Sequence, residues 1–216
     1  MEIATANQGG NYKKAPEGMH RAICYRFVDL GTQESEYQGT INHRRKVALS
    51  FELVDEIDTF EGPDGEVSKP FAVHARHTWS MSEKGNLRPF LESWRGKAFS
   101  EDDLAEGGFD AKNLIGVPCY VNVVHAESNG KTYANIKAIT PLPKQARENM
   151  PSMHNDPIYF SLQKDRVDWD LFDKFHENTQ ATIKRSPEYQ ELVGETSETS
   201  GSTKSDDADM DDEIPF

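Results

Sequence analysis

Short runs in which apolar and polar residues alternate recur through the first two thirds of the chain and predict a mainly β protein. Val47, Leu49, Phe51 and Leu53 alternate with smaller or polar residues, which is the period of a half-buried strand. The other predicted strands are rich in β-branched and aromatic residues. The five predicted strands are Met19–Leu30, Val47–Leu53, Pro70–Met81, Val117–Val123 and Lys131–Ile139.

A different period appears between the third and fourth strands. Leu87, Phe90, Leu91 and Trp94 follow one another at helical spacing, after Asn86 as a candidate cap and before Gly96 as a stop. The spacing predicts a helix that turns Phe90 and Trp94 toward the core.

Two loops carry turn chemistry. Asn129-Gly130 favours a tight type I′ hairpin between the fourth and fifth strands. Pro63-Asp64-Gly65 predicts that the acidic segment 55–66 is a surface loop. Five strands with a helix between the third and fourth is the order of an OB-fold, a Greek-key barrel, so we predict an OB-fold domain over residues 18–142.

The segments on either side of this domain lack the alternating strand pattern. Residues 1–17 are small and polar and predict a flexible arm. Residues 143–194 predict a linker and a helical appendage, in which Trp169, Phe172 and Phe175 share a face behind the capping residue Asp168, and a second helix begins near Pro187. The appendage either packs on the barrel or contacts a second protomer or a partner. Residues 195–216 are too polar to fold and predict a disordered tail.

Charge is unevenly distributed along the chain. The formal net charge is −13, and residues 195–216 supply eight acids against one lysine, more than half of the imbalance. The body is nearly balanced, which is less basic than expected of a nucleic-acid-binding protein. Any affinity for DNA must therefore come from local patches and from stacking.

The cysteines and the apolar segments indicate the cellular compartment of the protein. Cys24 and Cys119 fall in predicted strands, where a free cysteine acts as a small buried hydrophobe, and two cysteines make no disulfide framework. We find no secretory leader and no apolar run near 18 residues, so we expect a protein of a reducing compartment such as the cytoplasm, with no membrane partner.

Basic and aromatic residues on the outward faces of the strands are candidates for binding single strands, which proteins hold by phosphate contacts and base stacking. Tyr120 and Tyr133 are the strongest, because outward aromatics have little structural role. Trp79 continues an inward series and is favoured as core over stacking. The candidate nucleic-acid-binding residues are Arg44, Arg45, Lys46, His74, Arg76, Trp79, Tyr120, Lys131, Tyr133 and Lys137.

Nothing in the sequence favours catalysis, a cofactor or a metal. His74 and His77 are three residues apart on a strand, which points them to opposite faces, and neither has a nearby cysteine pair. The chain has no phosphate loop, nucleophile elbow or metalloprotease helix. The scattered acids of residues 55–66 leave a metal-dependent nuclease, or another replication enzyme, as an alternative hypothesis, although a turn loop also explains them.

The last residues form a candidate partner-binding tip. Acids precede an apolar end that carries the terminal carboxylate, and Pro215 holds the residue before it extended, so a partner can capture ring and carboxylate together. A merely solubilising tail would not need that apolar end. The tip residues are Asp211, Asp212, Glu213, Ile214, Pro215 and Phe216.

This tip closely resembles the Asp-Ile-Pro-Phe end of bacterial single-stranded-DNA-binding proteins and several phage counterparts, with Met210 and Glu213 as modest departures. Residues 91–99 (LESWRGKAF) and 114–119 (LIGVPC) resemble the single-stranded-DNA-binding proteins of some tailed phages, over roughly residues 12–142. The body does not resemble the tetrameric core of the bacterial proteins, so a monomer or dimer is favoured.

The resemblance implies a protein that coats single-stranded DNA in an infected bacterium during replication or recombination and recruits host or phage replication and repair enzymes through its tip. The alternative is an adaptor or decoy that occupies a host enzyme's pocket through the tip and binds little DNA.

Overall fold

The computed structural model of the protein describes residues 13–37, 39–62, 65–105, 109–128 and 130–197. The strands are β1 Gly18–Tyr37, β2 Thr40–Gly62, β3 Gly65–Thr78, β4 Pro118–Ser128, β5 Lys131–Pro141 and β6 Ile158–Phe160. The helices are α1 Leu87–Arg95, α2 Glu101–Leu104, α3 Lys144–Glu148, α4 Trp169–Phe172, α5 Glu177–Lys184 and α6 Pro187–Ser197, and Ala111–Leu114 forms a 3₁₀ turn.

Five strands close into a mixed barrel. The order around it is β2, β3, β5, β4 and β1, and β1 pairs again with β2. Every pairing is antiparallel except that of β3 with β5, which is parallel. The predicted mainly β architecture is therefore confirmed at the level of a closed five-stranded barrel with a few helices.

The alternating residues fill the barrel as the sequence predicted. Leu49, Phe51 and Leu53 of β2 are fully buried, together with Val121 of β4. Trp94 of α1 is buried against Phe51, with ring centroids 5.2 Å apart. Cys24 and Cys119 are free and buried, as predicted, and burial raises the pKa of the Cys24 thiol to about 12.

Two local predictions differ from the structure. The acidic segment after Asp55 is not a loop, because β2 continues to Gly62 and pairs with β3 as a two-stranded ribbon. Asn86 does not cap α1 with its side chain; its Oδ1 accepts a hydrogen bond from the Thr78 N–H at 3.2 Å. The few apolar residues of the ribbon do not alternate with polar ones, so a period-2 pattern cannot reveal it.

Residues 13–17, which the sequence assigned to the arm, lie against the barrel. Ala15 belongs to the main core, and Lys13 Nζ donates to Asp58 Oδ1 at 2.8 Å. The rest of the predicted arm lies outside the described residues. Residues 13–17 therefore pack on the barrel ahead of β1.

The appendage packs on the barrel and forms a second core with it. Val28 and Leu30 of β1 point away from the barrel interior and join Phe160, Leu162, Phe172, Phe175 and Ile183. Glu188 Oε1 accepts from the Thr32 hydroxyl at 2.6 Å, which ties α6 to β1. The predicted Asp168 cap is present, since its side chain accepts from the Leu171 N–H at 2.9 Å. Packing on the barrel, one of the two alternatives, is confirmed.

Candidate nucleic-acid interface

One lateral row of polar side chains crosses four strands on the outer surface of the barrel. Arg26 of β1 pairs with Ser50 of β2, Ser50 with His74 of β3, and His74 with Asn135 of β5. Neighbouring strands lie about 4.8 Å apart, so this row spans about 14 Å. His74 Nδ1 lies 2.8 Å from Ser50 Oγ, which joins the two middle positions directly.

A second set of cations lies beside that row. Arg76 is exposed two residues beyond His74 on β3. Lys46 pairs with Thr78 at the same end, and its Nζ donates to Thr78 Oγ1 at 3.1 Å. On β5, a register shift in the pairing with β4 leaves Lys137 exposed without an opposite residue. We call Arg26, Lys46, His74, Arg76, Tyr133 and Lys137 the basic face.

The positive charge of the basic face is not offset by neighbouring acids. Among the described residues, no carboxylate lies within 4.0 Å of a nitrogen of Arg26, Lys46, Arg76 or Lys137. Burial and the nearby Arg44 lower the pKa of Lys46. A surface with this excess of cations attracts phosphate.

His74 is an uncharged member of the basic face at neutral pH. Packing of the surrounding protein, together with the nearby Arg26 and Arg76, lowers the pKa of His74 below its usual range, although the residue is more than a third exposed to solvent. The imidazole therefore acts there as a hydrogen-bonding group and as a flat surface, without adding charge.

Aromatic side chains accompany the cations. Tyr133 lies on β5 two residues before Asn135 and is half-buried. Tyr25 sits at the β1 bulge beside Arg26, where burial raises the pKa of its phenol. Lys131 is exposed at the start of β5, two residues before Tyr133. Base stacking on such rings is the sequence-independent part of single-strand binding.

Arg45 was a candidate for this surface, but the structure places it at one end of the barrel. It forms an ion pair with the buried Asp29, in which Arg45 Nε donates to Asp29 Oδ1 at 3.1 Å. The hydrogen bond to Asp29 raises the pKa of Arg45. Asp29 also accepts from the Leu162 N–H at 3.1 Å, so the pair links the barrel to the appendage.

Tyr120 and Tyr133 are on adjacent strands but far apart along them. Tyr133 pairs with Ala126 of β4, six residues from Tyr120, which is about 20 Å of strand. Tyr120 instead pairs with Arg21, whose Nε donates to Asp55 Oδ2 at 2.7 Å. The two tyrosines therefore do not belong to one compact patch.

The remaining two candidates also lie apart from the basic face. Trp79 is half-buried against the main core, and its ring centroid lies 5.5 Å from that of Phe27 in an edge-to-face arrangement, which agrees with the favoured core interpretation. Arg44 is exposed on the ribbon that β1 and β2 form beyond the barrel.

Arg26 is the basic-face residue that sequence reasoning missed. A regular strand would place Arg26 on the same face as Ala22 and Cys24, toward the core. The bulge between Cys24 and Arg26 changes the spacing of inward residues, so that Phe27 follows Cys24 in the core and Arg26 turns outward. The change from two-residue to three-residue spacing of buried positions was the available signal.

A cavity of about 490 Å³ lies on the other side of the main core. Its walls include Trp94, Phe99 and Phe109, and Arg95 at its side donates to Asp103 at 3.1 Å. The second arginine of its lining, Arg147, donates its Nε to the Leu142 carbonyl at 2.8 Å. Because both arginines already have partners, the cavity is a weaker site for an anionic polymer than the basic face.

The predicted partner-binding tip lies outside the described residues. Within the described part of the chain, no three His, Cys, Asp or Glu side chains form a group that could hold a metal ion. The helices of the same part are too short or too polar to cross a membrane. No protein-family model matches the chain, and no curated protein sequence matches it.

Proposed function

We propose that this protein binds single-stranded DNA without sequence preference across its basic face, and that it recruits replication or repair enzymes through its C-terminal tip. The strand order, with β3 parallel to β5, supports an OB-fold Greek-key barrel with the helix between its third and fourth strands. Such barrels bind oligonucleotides across the face of strands 2 and 3 and near the 1–2 and 4–5 loops. The basic face occupies β2, β3 and β5, together with Arg26 of β1.

The observation that carries the proposal is the group of cations with no described acid beside them. Four Lys and Arg side chains can each neutralise a phosphate, and Tyr133 offers a ring for a base. Duplex DNA hides its base faces, so a surface that combines a few cations with an aromatic ring favours single strands. The nearly neutral body limits the number of phosphates and hence the steepness of the salt dependence.

The biological role follows from the resemblance of the tip and of the barrel segments. The protein coats and protects single-stranded DNA during phage replication or recombination, in the cytoplasm of the infected bacterium. It does so without catalysis or a cofactor, as a monomer or a dimer. The acidic run attracts a partner with a basic-rimmed pocket, and the Phe216 ring and carboxylate fix the contact.

DNA binding is tested by fluorescence anisotropy of labelled oligo(dT) against a duplex of equal length. We expect the wild type to favour the single strand, and Arg76→Gln to weaken that binding several-fold. Lys97→Gln, which removes one charge from an exposed lysine after α1, is the matched control and retains affinity. Equal affinity for duplex and single strand, or equal loss in both variants, contradicts binding at the basic face.

The tip is tested separately by deleting Phe216 alone. This removes the ring and displaces the carboxylate but leaves the acidic run, so affinity for oligo(dT) is retained while binding to a bacterial exonuclease or helicase that recognises such tips is lost. Partner binding that persists without Phe216 rules out this role of the tip. Partner binding by a wild type that fails to bind oligo(dT) at low salt indicates the adaptor alternative.

A further inference from the structure

Arg26 occupies an unusual environment for an arginine. It is half-buried at the border between barrel and appendage, and its guanidinium carbon lies 4.8 Å from the centroid of the Phe175 ring. Its Nε is buried, and among the described residues this nitrogen has no hydrogen-bond partner. Stacking on an aromatic ring offsets part of the cost of removing a cation from water, but it satisfies no N–H donor.

The nearest outward acid of β2 is already occupied. Glu52 is buried, and its carboxylate accepts from the backbone N–H of His154 at 2.8 Å and of Asn155 at 2.9 Å. The Asn155 side-chain amide donates to it as well, at 2.7 Å. The start of the appendage therefore uses the acid that could otherwise have paired with Arg26.

The polar groups near Arg26 that remain open to an anion are those of His74 and Arg76, which are both exposed. Ser50 lies opposite Arg26 and is itself buried, and His74 lies on the far side of Ser50. In the neutral tautomer that carries its hydrogen on Nε2, the His74 Nδ1 accepts a hydrogen bond from the Ser50 hydroxyl. The Nε2–H is then left to donate outward. Arg76, on the same side of β3, adds a second guanidinium.

We propose that Arg26 anchors one phosphodiester group of bound DNA, with His74 and Arg76 as its neighbouring ligands, so that the strand crosses the barrel along the Arg26–Ser50–His74–Asn135 row. This inference rests on the proposed function and identifies where the backbone of the strand is fixed. A guanidinium held in place on a ring loses little side-chain freedom when it binds, and its planar donors match phosphate oxygens. Arg26 is thus distinguished from the exposed lysines, which contact phosphates as mobile point charges.

Substitution of Arg26 tests the anchor against DNA. We expect Arg26→Gln to weaken oligo(dT) binding about tenfold and to lower the slope of log affinity against log salt by about one. Arg26→Lys keeps the charge but not the planar fork, so it retains the slope while losing several-fold in affinity. Thermal unfolding of each variant shows whether removing the contact between Arg26 and Phe175 has lowered the stability of the protein. Wild-type affinity in a folded Arg26→Gln protein contradicts the anchor and leaves the proposed function standing.

Nuclear magnetic resonance of the arginine Nε–H groups provides a second readout that does not depend on affinity. The Arg26 signal is identified by its absence from Arg26→Lys, and the full-length protein is titrated with oligo(dT) and, separately, with inorganic phosphate. A saturable shift with oligo(dT) and a weaker one with phosphate support the anchor.

The two titrations also separate failure of the anchor from failure of the proposed function. An unmoved Arg26 signal while anisotropy reports DNA binding contradicts the anchor alone. If oligo(dT) fails to bind at all, the proposed function fails. The phosphate titration then decides whether Arg26 forms an anion site. A saturable shift of the Arg26 signal assigns the site to free phosphate, and an unmoved signal excludes an anion site there.

Discussion

Arg26 and Arg45 are partly buried arginines on neighbouring strands of one barrel, and they contact different partners. Arg45 lies against the buried carboxylate of Asp29, which also receives a backbone N–H from the appendage. Arg26 lies on the Phe175 ring, and no described acid is within ion-pair distance. The comparison teaches that the counter-ion, more than burial or residue type, separates an arginine that stabilises the fold from one that is available to a ligand.

The described arginines away from the basic face divide in the same way. Arg44 and Arg185 are exposed and have no described carboxylate within ion-pair distance. Three others are paired: Arg21 with Asp55, Arg88 with Glu92, and Arg95 with Asp103. Those pairs are partly exposed and individually contribute little to stability. Under the proposed function, these pairs remove charge from surfaces that would otherwise compete with the basic face for DNA.

The largest expected effect is on folding, from Arg45→Ala. Removing this partner leaves the Asp29 carboxylate buried without its cation, which we expect to lower the free energy of unfolding by about 2–3 kcal/mol. Chemical denaturation measures this loss. Arg76→Ala is the comparison variant and should change unfolding by less than about 0.5 kcal/mol, because Arg76 is exposed and has no described acid partner. Equal destabilisation by the two variants would remove the distinction between paired and unpaired arginines.

A second prediction concerns the two histidines of β3, which sequence reasoning placed on opposite faces. His77 is buried against Phe90, with centroids 4.4 Å apart, and burial is the main reason that its pKa is lowered to about 4. Between this value and the ordinary value near 6.5, the unfolded chain binds more protons than the folded one, so stability falls as the pH falls through that window.

The measurement is the difference in unfolding free energy between pH 7 and pH 5. His77→Gln should reduce the loss seen in the wild type by about 1–2 kcal/mol, because the buried titrating group is gone. His74→Gln should reduce it less, since His74 is partly solvated. A wild-type pH dependence that survives in His77→Gln would show that carboxylates, not His77, cause it.

The third prediction uses the two tyrosines to define the extent of the binding surface. Tyr133→Ala should weaken oligo(dT) binding by about 1 kcal/mol, roughly fivefold, through loss of one stacked base. Tyr120→Ala should weaken it less, because Tyr120 lies about 20 Å away beside the Arg21–Asp55 pair. Anisotropy titrations of both variants decide this, with thermal unfolding as the control. A larger loss of affinity with Tyr120→Ala would indicate that the bound DNA lies nearer to β1 and β4.

Local patterns in the sequence predicted the five strands, the helix after Asn86 and the burial of Trp94. These features depend on the periodicity of neighbouring residues, which is visible along the chain. The β2–β3 ribbon was missed because its few apolar residues do not alternate with polar ones. The bulge before Arg26 was missed because a single extra residue reverses the face on which each following side chain lies.

The candidate site was predictable only in part, for a related reason. Lys46, His74, Arg76, Tyr133 and Lys137 follow from outward positions on strands. The sequence pattern does not show that Arg45 pairs with Asp29, 16 positions away. It also does not show that the Glu52 carboxylate accepts from residues 154 and 155, about 100 positions away. Such pairings arise from topology and appendage packing, so equal-looking basic residues separate into two classes only in the folded structure.

The most direct test of the central claim is the salt dependence of oligo(dT) binding in the wild type and in Lys46→Gln/Arg76→Gln/Lys137→Gln. The three substitutions leave Arg26, and every ion pair described above, in place. We predict that the slope of log affinity against log salt falls by about two to three, at roughly 0.7 per single-strand phosphate contact, with unchanged thermal unfolding. A triple variant with the wild-type slope and affinity would show that DNA, if it binds, binds elsewhere.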